Sequence, residues 1–160
     1  MWILKLLLVG VFLFIFIQDY KEREVFWFLY PSVGILAFFL QMEYVLILTA
    51  LLNISLNLLF VSFLLIVCYT YTRFKLQRSF LKEVFGLGDV LFFIFITFSF
   101  SIISFQILFV FALVFSLLLH LILQIKKAEK TVPLAGYMSL FFGVVYSVSF
   151  FCDSNFLYAY

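Results

Sequence analysis

Long apolar segments alternate with short polar ones along the chain. The apolar segments occupy residues 2–18, 25–40, 44–72, 90–125 and 132–151, and charged residues lie between them. A helix needs about 20 mostly apolar residues to cross a bilayer, so segments of this kind are typical of transmembrane helices. The pattern therefore predicts an all-α, polytopic membrane protein.

The fourth segment, 90–125, is too long for one span. Its 36 residues would form a helix about 54 Å long, whereas the hydrocarbon layer is about 30 Å thick. We expect two helices joined by a turn within 99–106, which contains the polar residues Ser99, Ser101, Ser104 and Gln106. The chain is then one integral-membrane domain, 1–160, with about six transmembrane helices.

The basic residues support this arrangement. Nine of the ten Lys and Arg residues lie at 21–23, 73–82 and 126–130, which follow the first, third and fifth of six spans. The positive-inside rule places these connections in the cytoplasm and both termini outside. A single helix over 90–125 would move the cluster at 126–130 to the other side, so the charge pattern also favours two helices there.

Composition excludes most other classes of protein. The chain is 68% hydrophobic and 11% charged, whereas soluble domains are about 45–50% apolar and about 25% charged. An ordinary soluble enzyme, a disordered chain and a secreted disulfide scaffold are excluded. The bilayer is the expected surrounding, and no nucleic-acid partner is expected. The two cysteines form no C-x-x-C pair, so a zinc site or a redox pair is not expected. The chain is predicted to use no metal and no other cofactor.

Two acidic residues stand out because they lie at the cytoplasmic ends of predicted spans. Asp19 follows the first span, and Asp89 begins the fourth span, 70 residues later. Bundling of these two spans would bring the carboxylates together. Ionisable groups at membrane depth are costly and are candidates for function. Two neighbouring carboxyl groups share a proton, which is what aspartyl hydrolysis of a peptide bond requires.

Two glycines precede the second of these acids. We expect Gly86 and Gly88 to let the backbone turn tightly with positive φ and to permit close approach of a substrate strand. A structural alternative exists for both acids. Asp19 is then a helix-end residue at the membrane interface, and Asp89 is the N-cap of the fourth span.

These residues carry a resemblance to a known family. Phe85-Gly86-Leu87-Gly88-Asp89, which opens a predicted span after a basic loop, resembles the G-x-G-D motif of the prepilin peptidases. These type IV leader peptidases are GxGD-type intramembrane aspartyl proteases. Segment 19–25 is similar to the family's first motif, and 126–136 resembles its later basic loop and proline. The order, the spacing and the membrane side of these motifs resemble those of the family over essentially the whole chain.

The resemblance implies an aspartyl endopeptidase. Its catalytic pair is Asp19 and Asp89, and its substrate is the leader of a type IV prepilin-like protein, cut at the cytoplasmic face of the inner membrane. It implies motif or substrate-positioning roles for Gly86, Gly88 and Pro133. No cofactor is implied, and no methyltransferase domain or N-methylation activity like that of the larger members is expected.

Three further acids, Glu22, Glu24 and Glu83, are candidates for recognising the basic leader. The alternative is that they are solvated loop acids. Phe26-Trp27 stands where the family has Pro-Asn, so a catalytically degenerate scaffold of a pilus or secretion system is an alternative function. A small ion-coupled transporter and a presenilin-type protease rank lower.

Three secondary expectations concern packing. Asn53 and Asn57, four residues apart in the third span, are expected to hydrogen-bond to neighbouring helices or to line a polar path. The phenylalanines of 92–100 are expected to face lipid. The loop 73–88 is expected to be either a short helix on the membrane face or a solvated basic loop.

Overall fold

The computed structural model of the chain describes residues 2–76, 86–124, 133–151 and 155–158. These residues form helices and no strand, which confirms the all-α fold class. The helices are α1 (Trp2–Lys21), α2 (Leu29–Met42), α3 (Ile47–Tyr71), α4 (Leu87–Ile96), α5 (Ile102–Gln124), α6 (Leu134–Val148) and α7 (Asn155–Tyr158), and a π-helical turn, Thr72–Leu76, extends α3.

Three of the helices are long and apolar enough to cross a membrane. These candidate spans are Trp2–Lys21, Ile47–Phe74 and Ile102–Leu123. α2, α4 and α6 are also apolar but shorter. The 15 residues of α6 extend about 22 Å, less than the roughly 30 Å of hydrocarbon. The six predicted spans thus correspond to three long and three short apolar helices, a composition that indicates membrane association.

The long apolar segment breaks in two, as its length predicts. α4 ends at Ile96 and α5 begins at Ile102, so the turn occupies 97–101 and starts earlier than the expected range. The Asn57 side-chain amide of α3 is buried there and donates to the carbonyls of Thr97 at 3.2 Å and Phe100 at 3.0 Å. This bond from another helix supports the turn without Gly or Pro, and it confirms the expected interhelical role of Asn57.

α6 is at the centre of the bundle. It packs along most of α1 and also contacts α4 and α5. The Phe12 ring of α1 stacks on Phe142 and Tyr146 of α6, with ring centroids 6.3 and 5.9 Å apart. Other side chains on these two helices are also fully buried, namely Leu8, Ile15 and Met138.

The α4 phenylalanines correct one expectation. Phe92 is 1% exposed and the nearby Phe100 is 0% exposed, so neither faces lipid. α4 contacts both α2 and α6, and its aromatic rings therefore fill the space between them. Phe92 packs edge-on against Phe12 at 6.3 Å.

α1 and α6 run antiparallel. Near the start of α1, the Lys5 ammonium donates to the Ser149 carbonyl just beyond the end of α6, at 2.9 Å. The end of α1 correspondingly lies beside the beginning of α6. The start of α4 contacts this same end of the bundle, so three helix ends converge there.

Candidate active site

Asp19 lies in the last turn of α1, because this helix continues to Lys21 beyond the predicted end at residue 18. Its side chain continues the buried face formed by Leu8, Phe12 and Ile15, since spacings of three and four residues return to the same helix face. It is 9% exposed. The packing of α1 against α6 therefore places a carboxylate at the end of an apolar seam.

The carboxylate of Asp19 binds the first turn of α6. Its Oδ2 accepts a hydrogen bond from the Gly136 backbone amide at 2.6 Å. A Cβ at Gly136 would lie 2.8 Å from that oxygen and 2.9 Å from the Asp19 Cβ. Such contacts are too short, so the absence of a side chain at residue 136 permits the close approach.

Asp89 occupies the first turn of α4, with Gly86 as the N-cap residue. The N-cap alternative for Asp89 is therefore wrong. Its Oδ1 accepts a hydrogen bond from the Ala135 amide at 2.7 Å. The Gly86 amide also faces this carboxylate, in the manner of an acid at the third helical position reaching back to its own N-cap.

The two carboxylates are brought together by α6. Ala135 and Gly136 are adjacent, and their amides are among the first of the helix, which have no partner within it. The positive end of the helix dipole favours negative charge here. Asp19 lies near enough for its charge to act on Asp89. The expected meeting of the two acids thus occurs at the beginning of α6, a place that the sequence pattern does not predict for either acid.

Gly88 leaves room for a tyrosine. A Cβ at Gly88 would lie 2.5 Å from the hydroxyl oxygen of Tyr30 and 3.5 Å from Cζ. Tyr30 belongs to α2 and is 2% exposed, and both carboxylates act electrostatically on its hydroxyl. Tyr30 is a site residue that sequence reasoning missed.

The conformations of the glycines differ from expectation. Among the described glycines none has positive φ, and Gly88 is already helical. Gly86 is extended, with φ −71° and ψ 146°, which residues other than glycine also adopt. The requirement at Gly88 is therefore for space against Tyr30, whereas an unusual backbone angle is not needed.

Arg23 is a second site residue that no sequence pattern marks. It lies in the connection between α1 and α2 with φ 59°, a left-handed conformation that is uncommon outside glycine. Its positive charge acts on both carboxylates. No local sequence signal marks such a residue, because Arg is not a typical left-handed turn residue.

The remaining predicted site residues lie around the carboxylates or outside the described residues. Pro133 is buried at the N-cap position of α6, directly before the two amides that bind the acids. Glu22 and Glu24 are exposed beside Arg23 at the same end of the bundle. Glu83 lies outside the described residues, as does most of the loop 73–88.

Within the described ranges, no three His, Cys, Asp or Glu side chains come together as metal ligands do. The chain matches no known family profile, and no curated protein or solved structure matches it.

Proposed function

We propose that this protein is a membrane-integral aspartyl endopeptidase that uses Asp19 and Asp89 to cleave the leader of type IV prepilin-like proteins. One observation carries the proposal. Two carboxylates that are 70 residues apart in sequence accept hydrogen bonds from adjacent amides, Ala135 and Gly136. The G-x-G-D motif at 86–89 and the first motif at 19–25 support the same assignment.

The chemistry follows from two acids that cannot both ionise. Asp19 is buried and Asp89 is partly buried. Two neighbouring carboxylates repel each other, so the pair holds one proton. The ionised carboxylate removes a proton from water as the water oxygen bonds to the scissile carbonyl carbon. The protonated carboxyl gives its proton to the carbonyl oxygen. When the carbon–nitrogen bond breaks, one carboxyl group gives its proton to the leaving amine. The other carboxylate takes the proton of a hydroxyl on the former carbonyl carbon, so the pair again holds one proton.

The beginning of α6 contributes to this chemistry. Its amides and dipole stabilise the single negative charge of the pair at either aspartate. The proton can therefore pass between the two carboxyl groups during the reaction while the charge stays near the same helix end.

The charges around the site support its placement on the cytoplasmic side. Lys21 and Arg23 follow Asp19 at the end of α1, and Arg73 follows α3 at the same end of the bundle. Under the positive-inside rule this end faces the cytoplasm and both termini lie outside. A substrate with a short basic leader ahead of an apolar helix would meet the two acids where its helix leaves the membrane.

A non-catalytic scaffold is the second candidate. A carboxylate bound to the first amides of a helix is also what a structural cap provides, and both aspartates are bound in this way. In a scaffold the aspartates stabilise α6 and cleave nothing.

Cleavage of a membrane substrate separates the two candidates. We would co-express the protein with a reporter that carries a short basic leader before an apolar helix, and compare wild type with Asp19→Asn and Asp89→Asn. Asn keeps the size of the side chain but removes the acid, so each variant should lose at least about 100-fold in rate. Glu43→Gln, an exposed acid at the other end of the bundle, is the matched control and should cleave normally. Cleavage by the two Asn variants at the wild-type rate would contradict the proposal.

A further inference from the structure

The Tyr30 hydroxyl is held in one place beside the two acids. Tyr30 lies in the first turn of α2 and is nearly fully buried. Its ring packs edge-on against Phe92 of α4, with centroids 6.4 Å apart. The hydroxyl oxygen lies against the Gly88 Cα, one residue before Asp89. Contacts of α4 with both the ring and the hydroxyl therefore fix the direction in which the hydroxyl points.

The hydrogen bonding of the Tyr30 hydroxyl is incomplete. Among the described residues, the Tyr30 hydroxyl makes no hydrogen bond, although both carboxylates lie near enough to act on it. The hydroxyl proton is therefore available to an acceptor that the described part of the protein does not provide. A phenol is protonated at neutral pH and is therefore a ready hydrogen-bond donor.

We propose that Tyr30 is a third catalytic residue, which donates a hydrogen bond to the carbonyl oxygen of the substrate as negative charge develops on it. This assignment rests on the proposed endopeptidase function. In the step described above, the protonated carboxyl gives its proton to that oxygen while Tyr30 binds its second lone pair. No proton leaves Tyr30, so the proton balance of the reaction is unchanged.

Gly88 connects this role to the sequence motif. A side chain at residue 88 would displace the Tyr30 hydroxyl, because its Cβ would lie 2.5 Å from that oxygen. The second glycine of the G-x-G-D motif in this chain thus makes space for a donor from α2.

A purely structural tyrosine would leave a different kinetic signature. Tyr146 of α6 provides the comparison, since it is equally buried but lies near the other end of the bundle, with its hydroxyl 3.5 Å from the Ser99 carbonyl. Tyr146→Phe removes a hydroxyl that has a hydrogen-bond partner, so it should destabilise the fold at least as much as Tyr30→Phe. Only the loss at Tyr30 should change the chemical step.

The test measures kcat and KM of wild type, Tyr30→Phe and Tyr146→Phe in detergent-purified protein on the basic-leader reporter. Removal of one donor from an oxyanion site costs about 100- to 1,000-fold in kcat. We expect a fall of about 100-fold in kcat for Tyr30→Phe, with KM within about twofold of wild type. Tyr146→Phe should keep the wild-type kcat.

Each outcome has a separate meaning. If wild type and the Asn variants of the aspartates all fail to cleave, the endopeptidase function is wrong and the role of Tyr30 falls with it. If wild type cleaves, the Asn variants do not, and Tyr30→Phe keeps the wild-type kcat, only the role of Tyr30 is overturned. A rise in KM at unchanged kcat would likewise overturn it, because that indicates substrate binding alone.

A stability measurement tests the geometry without any substrate. Gly88→Ala should lower the midpoint of thermal unfolding in detergent, because the new methyl group meets the hydroxyl. In the Tyr30→Phe background the same substitution should lower it by less than half as much, since the nearest remaining ring atom is 3.5 Å away. Equal effects in the two backgrounds would show that the hydroxyl does not lie against Gly88, and would overturn the proposal.

Discussion

At the scale of single residues, the site depends on two glycines, whose lack of a side chain lets a neighbouring residue approach closely. Gly136 admits the Asp19 carboxylate and Gly88 admits the Tyr30 hydroxyl. Both contacts join residues from different helices, so the need for glycine arises from packing.

Gly136→Ala tests the contact with Asp19. The added methyl group would lie 2.8 Å from Oδ2, and we expect a loss of about 1–3 kcal/mol of stability, as for other overpacked sites. Gly10→Ala in α1 is the matched control, because a Cβ there has no atom within 4 Å. It should be neutral or should gain up to about 1 kcal/mol from helix propensity. Unfolding in detergent measures the stability of both variants. Equal changes in stability would show that Gly136 is not closely packed against Asp19.

The sequence identifies some of these residues and misses others for a physical reason. Asp19 and Asp89 can be selected because an acid at the end of an apolar segment is visible in the sequence itself. Tyr30 and Arg23 cannot, because their importance depends on which helices meet. The expected positive φ at Gly88 is wrong for the same reason, since Tyr30 imposes a requirement for space.

At the scale of elements, the break between α4 and α5 shows what length alone can determine. The length of 90–125 predicts two helices, because a single helix would be much longer than the hydrocarbon layer is thick. The location of the turn depends on Asn57, which binds the Thr97 and Phe100 carbonyls from α3. That contact spans 40 residues of sequence, so local polarity places the turn a few residues too late.

Asn57→Ala tests this support. The substitution leaves two buried carbonyls without their donor, and a buried polar group that loses its partner costs about 1–3 kcal/mol. We expect about 2 kcal/mol of lost stability in detergent unfolding. Ser55→Ala on the exposed face of α3, whose hydroxyl bonds only to its own helix, should change stability by less than about 0.5 kcal/mol. A loss no larger than that of Ser55→Ala would show that Asn57 does not hold the turn.

At the scale of the whole molecule, the arrangement of helices decides which end holds the site. α6 packs against α1, α4 and α5, so its first turn is where distant parts of the chain converge. The sequence predicts that the two acids lie at one face. It does not predict that α6 joins them, because helix packing partners are not encoded in the apolar pattern of one helix.

The proposed orientation is testable with cysteine labelling. In a Cys68→Ser, Cys152→Ser background, Glu43→Cys should react with a membrane-impermeant maleimide in intact cells. Arg23→Cys, at the site end, should react only after the membrane is permeabilised. Labelling of Arg23→Cys in intact cells would place the site outside and contradict the positive-inside assignment.

The most direct test of the central claim is the cleavage rate of the double variant Asp19→Asn, Asp89→Asn beside each single variant. Groups that act as one unit have strongly non-additive effects. If the two aspartates share one proton and one water, each single variant should lose at least about 100-fold in rate. The double variant should then cleave within about twofold of the singles. Losses that multiply, or a single variant that retains the wild-type rate, would contradict a catalytic pair.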